Sequence, residues 1–211
     1  MTHRFPVKAL VMSIAAMAAG LPGMVSAESN FVTGTGTLTA NARVDFQITI
    51  PKILFLQVGT GTMLANNTAV NLIDFAVPAA NVGNGTAVAA TAGSGDLSNG
   101  IVTAIVRGNS GNINLVATNG GALNNGVAGD TIPWSQITTT PTALAGYTTT
   151  LTPPTLANTN SAPVTLTAVN KVVNQGAQWT YAYANANIVA PGTYGGVNVN
   201  NGRVTYTATL P

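Results

Sequence analysis

Short runs in which apolar and polar residues alternate recur along this chain, and glycine, asparagine or proline ends each of them. In Arg43–Ile50, the clearest run, every second residue from Val44 onward is apolar, and Pro51 ends the pattern. A period of two residues places alternate side chains on opposite faces of a β-strand. Thr and Val, which suit a pleated strand, are abundant, whereas Glu and Lys are too scarce to cover surface helices. These features predict an all-β protein.

The same pattern predicts further short strands with turns between them. Ile101–Arg107 and Asn112–Thr118 are expected to form a hairpin around residues 108–111. Pro78–Gly100 and Asn119–Gly129, rich in Gly, Asn and Ala, are expected to be loops. The predicted fold is an antiparallel immunoglobulin-like β-sandwich with Gly/Asn/Thr-rich loops. The other predicted strands are Ile53–Val58, Val70–Val77, Ile132–Thr138, Gly146–Leu151, Val164–Val169, Gln178–Ala184 and Arg203–Leu210.

Residues 1–27 have the three parts of a secretory signal. Arg4 and Lys8 precede the uncharged apolar stretch Ala9–Leu21, and the small residues at 25–27 predict cleavage after Ala27. The apolar stretch is shorter than the roughly 20 residues that a membrane-spanning helix needs. We therefore expect export by the general secretory route to the periplasm, cell surface or extracellular space, with no membrane span after signal removal. The predicted organisation is a signal peptide at 1–27, an N-terminal extension at 28–41 and a β-sandwich domain at 42–211.

Charge and residue inventory argue against most chemistry in the exported part. Two of the seven basic residues lie in the signal, so five remain to balance the five acidic residues. Scattered charges of zero sum make no patch for several phosphates, so a nucleic-acid partner is not expected. The chain has no cysteine, and its single histidine, His3, lies in the signal. Catalysis by Ser-His-Asp or Cys-His, and metal sites built on imidazole or thiolate, therefore lack their residues.

The five carboxylates do not suggest an enzyme either. A glycosidase needs two of them across the scissile bond, but Glu28 is near the predicted mature terminus and Asp45 alternates outward on its strand. No acidic repeat typical of calcium loops occurs. Asp96 and Asp130 lie in Gly/Asn loops, where turn residues are the simpler interpretation. We therefore predict a non-enzyme with no catalytic, metal or cofactor-binding residue.

Two interpretations are open for the aromatic residues. Trp179, Tyr181 and Tyr183 share one face of a predicted strand, where their rings would either stack on sugars or form part of the core. Small residues occupy the other face, which favours the core. Trp134 follows Pro133 and is expected to plug a loop, with a ligand platform as the alternative.

Two stretches near the ends of the predicted mature chain repeat one motif. Arg43-Val-Asp-Phe-Gln-Ile-Thr-Ile-Pro51 and Arg203-Val-Thr-Tyr-Thr-Ala-Thr-Leu-Pro211 share Arg-Val-x-aromatic-x-x-Thr-aliphatic-Pro. Either composition alone produced the match, or both stretches fill similar positions near the edges of the sandwich.

The two ends of the chain carry a resemblance to a known class. The Thr/Gly-rich stretch Phe31–Asn41, the strong first strand and the ending Ala190–Val197 with Arg203–Leu210 resemble cysteine-free bacterial fimbrial and cell-surface subunits. The resemblance implies assembly by strand exchange with copies of itself or with related surface subunits. Phe31–Ala40 is the expected exchange segment, and a flexible leader is the alternative. Its candidate residues are Phe31, Val32, Gly34, Gly36 and Leu38.

Two functions follow as hypotheses. The first is an exported, non-catalytic surface protein that acts as a fimbria-like, self-associating structural subunit. The second is a secreted monomeric binding module, for example for carbohydrate, that uses the loops at 78–100 or 119–129. The sequence does not identify a ligand for it.

Overall fold

The structure, a computed structural model, describes residues 28–211, and the predicted signal at 1–27 lies outside them. The chain divides between Ile50 and Pro51 into two units, of which Pro51–Pro211 is the compact β unit. Within residues 28–211 there are two single-turn 3-10 helices, Ala79–Asn81 and Trp134–Gln136. The strands are β1 (Leu54–Val58), β2 (Val88–Ala89), β3 (Ile101–Gly108), β4 (Ile113–Thr118), β5 (Leu123–Asn124), β6 (Thr131–Ile132), β7 (Ile137–Ala143), β8 (Val164–Leu166), β9 (Val173–Tyr183) and β10 (Thr205–Thr209). The predicted all-β class with antiparallel sheets is confirmed.

The larger sheet is built around β9. This strand pairs with β3 from Val173 to Thr180 and with β7 from Ala177 to Tyr183, so β3 and β7 flank it. The two residues of β2 pair with its last two residues. On the far side of β3 lies β1, in the register Leu54↔Gly108. All these pairings are antiparallel, and β1, β2 and β7 each pair with one strand only.

The second sheet has the order β10–β4–β8, and β5 pairs separately with β6. The predicted hairpin between residues 101–107 and 112–118 is wrong, because β3 and β4 belong to different sheets. At the crossing, a Cβ on Gly108 would lie only 2.8 Å from Cδ1 of Ile113. The chain therefore changes sheets where glycine lets Ile113 approach the end of β3. This crossing brings the apolar face of β4 against that of β3 across the core.

Trp179 lies at the centre of a core that both sheets share. Its side chain is fully buried, and its indole Nε1 donates a hydrogen bond to the Leu151 carbonyl oxygen at 2.8 Å. Its ring lies 5.4 Å from that of Tyr206 on β10. The hydroxyls of Tyr206 and Tyr181 are 2.8 Å apart, which joins the two sheets by a hydrogen bond inside the core. Burial raises the pKa of Tyr206 to about 12 and that of Tyr181 well above its ordinary value.

Several predicted strands differ from the observed ones. Arg43–Ile50 and Gly146–Leu151 are wrong, since the structure assigns neither to a strand. Val70–Val77 also forms no ladder, although the Asp74 carbonyl oxygen accepts a hydrogen bond from the Thr91 amide at 2.8 Å. Ile132–Thr138 is divided by the helix at Trp134–Gln136. For Arg43–Ile50, the physical reason is the lack of a pairing strand among the described residues. Alternation marks a face that prefers burial, but a strand also needs a backbone partner at the right distance.

Asparagines form the turn before β10. Asn198, Asn200 and Asn201 have positive φ angles of 58°, 51° and 59°, a conformation that asparagine tolerates better than most residues. The Gly202 amide donates to the Val199 carbonyl oxygen at 2.7 Å. This turn delivers the chain into the last strand.

Candidate association surface

The most unusual surface among the described residues lies before the compact unit. In the segment 43–50, the alternating residues Val44, Phe46, Ile48 and Ile50 have side chains that are 64%, 90%, 85% and 76% exposed. We call these four side chains the 43–50 apolar face. The structure assigns no strand to any residue from 28 to 50. Residues 43–50 therefore have the sequence pattern of a half-buried strand, but their apolar side chains are not buried.

Exposure of this kind is costly in water. Burying a large aliphatic or aromatic side chain contributes about 1.5–3 kcal/mol, and monomeric proteins rarely expose several such side chains on one contiguous face. An ion pair joins Arg43 Nε to Glu28 Oε2 at 2.6 Å. Because it is solvent-exposed, it does not offset the exposure of four apolar side chains. The 43–50 apolar face therefore has the character of a surface that binds something.

The predicted exchange segment is less apolar. Phe31 is 89% exposed, whereas Val32 and Leu38 are about half as exposed. A Cβ on Gly34 would lie 3.1 Å from Cδ2 of Leu38, and one on Gly36 would meet nothing within 4 Å. Sequence reasoning missed the neighbouring segment 43–50 as a site, although the signal was its alternation, because that alternation was assigned to the first strand of the sandwich.

The start of the compact unit is held firmly. The side-chain amide of Asn109 donates from Nδ2 to the Pro51 carbonyl oxygen at 2.7 Å and accepts from the Ile53 amide at 2.8 Å. Lys52 Nζ donates to the carbonyl oxygen of Pro211 at 2.8 Å. These contacts fix residues 51–53 beside the end of the chain segment that follows β10.

The strand β10 has one unpaired side. Within residues 28–211 it pairs with β4 only, from Thr205↔Thr118 to Thr209↔Asn114. Its threonines at 205, 207 and 209 are exposed, whereas Tyr206 and Ala208 are partly buried and pack against the core. Cα atoms of β1 and β10 approach within 8 Å, so β1 lies close to β10. An unpaired strand edge of this kind presents free backbone donors and acceptors.

The candidate ligand-facing aromatics lie in the interior. Trp179, Tyr181 and Tyr183 are 0%, 7% and 6% exposed and pack as the core interpretation expected. Trp134 is equally buried, and its Nε1 donates to the Gly121 carbonyl oxygen at 2.9 Å. None of the four rings presents a face to solvent in this structure.

A shallow depression in the compact unit has a volume of about 250 Å³. Arg107 lines it with Asn109 and Asn174, and its guanidinium lies 5.5 Å from the ring centre of Tyr147. The Arg107 Nη2 donates to the Tyr147 hydroxyl at 3.4 Å. A Cβ on Gly176 would lie 2.7 Å from the Tyr147 ring, so this glycine lets the ring lie flat on the sheet. The arrangement holds a loop against the sheet.

The aspartates of the compact unit each structure a turn. Asp96 Oδ1 accepts from the Thr103 amide at 2.9 Å, and Asp130 Oδ2 accepts from Asn125 Nδ2 at 3.0 Å. Asp74 Oδ2 accepts from the Thr91 hydroxyl at 3.3 Å. Across residues 28–211, no three acidic, histidine or cysteine side chains come together as metal ligands would. Over the same residues, no helix has the length and apolar character needed to cross a bilayer.

Comparison of this chain with family models, with curated protein sequences and with solved structures finds no significant match.

Proposed function

We propose that this protein is an exported, non-catalytic structural subunit of a bacterial surface assembly, related to fimbrial subunits and built as an immunoglobulin-like sandwich. Copies associate when the N-terminal segment of one completes a sheet of another. The observation that carries the proposal is the 43–50 apolar face, in which alternating side chains from Val44 to Ile50 are exposed and unpaired among the described residues.

The physical argument is that both halves of a β-pairing are present. An extended segment with one apolar face supplies side chains for burial and a backbone for hydrogen bonds. Sheets with unpaired outer strands supply the acceptor. After removal of the signal the charges balance, so no net repulsion keeps copies apart. Each feature alone is common, and their combination favours self-association.

The test compares two double variants of the protein collected after export from a bacterial host. Phe46→Asn with Ile48→Asn removes half of the apolar face, whereas Gln47→Asn with Thr49→Asn changes the opposite face as a matched control. We expect wild type and control to form oligomers or filaments in sedimentation velocity and negative stain, and the first variant to be monomeric. Circular dichroism checks that the compact unit is folded in all three.

A wild-type monomer at all concentrations would overturn the proposal, as would assembly of the Phe46→Asn/Ile48→Asn variant at wild-type strength. A monomer that binds a glycan array would instead support the secreted binding module. Export is tested separately. N-terminal sequencing of the surface or periplasmic fraction should begin at Glu28, and retention of the whole chain in the cytoplasm would contradict the proposed destination.

A further inference from the structure

We infer that the shallow depression lined by Arg107 binds an acidic sugar of a glycan, whose carboxylate pairs with the Arg107 guanidinium. This inference goes beyond the proposed function and shares no residue with the 43–50 apolar face, so either can fail without the other. The site also lies outside the loops at 78–100 and 119–129, which the sequence suggested for a ligand. Three observations carry it: the unpaired guanidinium, the mixed lining of the depression and the single positive charge in that lining.

The sheet places Arg107 on its face away from the core. Val106 is fully buried in the core, so the next residue along β3 lies on the opposite face. The register sets Phe55 of β1 and Asn174 of β9 directly opposite Arg107, one on each side, and opposite residues share a face. The guanidinium also lies 5.5 Å from the ring centre of Tyr147, a cation–π contact. These neighbours hold the guanidinium in one place beside the depression.

The Arg107 guanidinium has few partners in its own chain, although it carries five N–H donors and a permanent charge. Within residues 28–211, the salt bridge joins Arg43 to Glu28 and does not involve Arg107. Among the same residues, Arg107 Nε is buried and has no hydrogen-bond partner, and Nη2 makes the long 3.4 Å contact to the Tyr147 hydroxyl. A partly buried charge without an opposite charge is unfavourable. Arg107 is therefore suited to bind an anion from outside the chain.

The lining around Arg107 is neutral and mixed. A second depression of about 190 Å³ adjoins the first, and both are lined by Val172 and Asn174. Arg107 is the charged residue among those that line the two depressions. Apolar contacts come from Ile53 and Val172, and amide or hydroxyl groups come from Asn174, Gln175 and Thr149.

This combination matches a sugar carboxylate better than other anions. A planar guanidinium binds a carboxylate through two parallel hydrogen bonds. The amides and hydroxyls suit the hydroxyl groups of a sugar, and the apolar side chains suit the C–H groups of its ring. A phosphate monoester carries a charge of about −1.5 to −2 at pH 7, more than one arginine neutralises. Pockets for drug-sized ligands measure about 300–1,000 Å³, so the first depression is assigned one acidic sugar and the second its neutral neighbour in the glycan.

The test uses disaccharides in which one uronic acid is linked to one neutral sugar, namely glucuronosyl-galactose and galacturonosyl-rhamnose. Isothermal titration calorimetry compares each with its methyl ester, which has the same shape and no charge. We expect at least one acid to bind, and its ester to bind about tenfold more weakly or less, the effect typical of losing a charged hydrogen bond. Binding of neither acid would overturn the inference, as would equal binding of acid and ester or tighter binding of glucose 6-phosphate.

Matched variants assign the binding to Arg107. Arg107→Gln should weaken binding of the acid about tenfold or more, whereas Arg203→Gln removes a positive charge that lines neither depression and should leave binding unchanged. Unchanged binding by the Arg107→Gln variant would overturn the site.

A second variant separates loss of ligand binding from loss of folding. Asn174→Asp places a carboxylate opposite Arg107 at an exposed position, where it should pair with the guanidinium and compete with the sugar. We expect the urea midpoint to equal or exceed that of the wild type while binding falls about tenfold or more. Wild-type affinity in this variant would overturn the role of the guanidinium.

Sedimentation velocity on the same variants keeps the inference distinct from the proposed function. Both Arg107→Gln and Asn174→Asp should assemble as the wild type does, since neither alters the 43–50 apolar face. Loss of assembly in both variants would assign this surface to contacts between copies and overturn the glycan site. A wild-type protein that binds the acid but never assembles would instead overturn the proposed function and leave this inference standing.

Discussion

The segment 43–50 and the strand β10 share a motif but differ in environment. In β10, Tyr206 and Ala208 pack on the core while the backbone pairs with β4. In the first segment, the corresponding Phe46 and Ile48 are 90% and 85% exposed and the backbone forms no strand. The difference teaches that an alternating pattern specifies which side chains prefer burial. Whether those side chains become buried depends on a neighbouring strand that pairs with their backbone. The predictions below test this contrast, from the largest expected effect to the smallest.

Substitutions of the two aromatic residues should separate the regions most clearly. Tyr206→Ala removes a ring that contacts Trp179 and a hydroxyl bonded to Tyr181, and it should lower the free energy of unfolding by about 2–4 kcal/mol. Phe46→Ala should leave the unfolding of dilute monomer unchanged, because Phe46 has no burial to lose. Urea unfolding followed by tryptophan fluorescence measures both. Equal losses would show that the segment is already packed in the monomer.

Alkaline pH should destabilise the compact unit through the buried tyrosine pair. Because burial raises the pKa of Tyr206 to about 12 in the folded protein, above the ordinary tyrosine value of about 10 in the unfolded chain, the folded state holds the proton more tightly. The contribution is complete below pH 10 and is lost as pH rises towards 12, by about 2–3 kcal/mol in total. Urea midpoints from pH 9 to 12 should therefore fall.

The control for this titration is Tyr206→Phe, which retains the ring and removes its ionisable hydroxyl. Its urea midpoint should fall less steeply with pH than that of the wild type. Parallel profiles for the two proteins would assign the alkaline loss to other groups.

Removal of the amide that fixes residues 51–53 should have a moderate effect. Asn109→Ala loses two hydrogen bonds, to Pro51 and Ile53, and should cost about 1–2 kcal/mol of unfolding free energy. Assembly should weaken too, because the segment 43–50 would leave the compact unit from a less defined position. Asn174→Ala, on the same depression, is the matched control. Equal assembly by both variants would show that this anchoring is irrelevant to association.

The smallest effect is expected from the ion pair of the N-terminal unit. Arg43→Ala breaks the contact with Glu28, which is fully exposed to solvent. We expect no measurable change in the unfolding of the compact unit. A clear shift in its urea midpoint would mean that this pair supports the β unit.

Much of the fold could be predicted because local chemistry agreed with tertiary packing. Residues of β3, β4 and β10 alternate or are uniformly apolar between strong turn residues, and those strands lie where expected. The pattern also favoured the core for Trp179, which is fully buried. The hairpin between β3 and β4 was not predicted correctly, since a short Gly/Asn turn does not reveal whether the next strand stays in the same sheet.

The candidate site was the hardest part to predict. The sequence predicts Phe31–Ala40 as the exchange segment, on its resemblance to surface subunits. The structure also exposes Phe46 and Ile48, in the stretch with the clearest strand pattern. Local sequence cannot distinguish a segment that pairs within its own chain from one that pairs with a different chain, because both have the same alternation of apolar and polar residues.

Residue chemistry alone was sufficient to establish the all-β class, the balanced charge of residues 28–211 and their lack of histidine and cysteine. These follow from composition and from the two-residue period, which act locally along the chain. Tertiary structure alone decided that β3 and β4 cross between sheets, that β10 keeps an unpaired edge, and that the 43–50 apolar face is exposed. Those outcomes depend on which backbones meet in space, and hydrogen-bonded pairing between distant segments is not encoded in either segment separately.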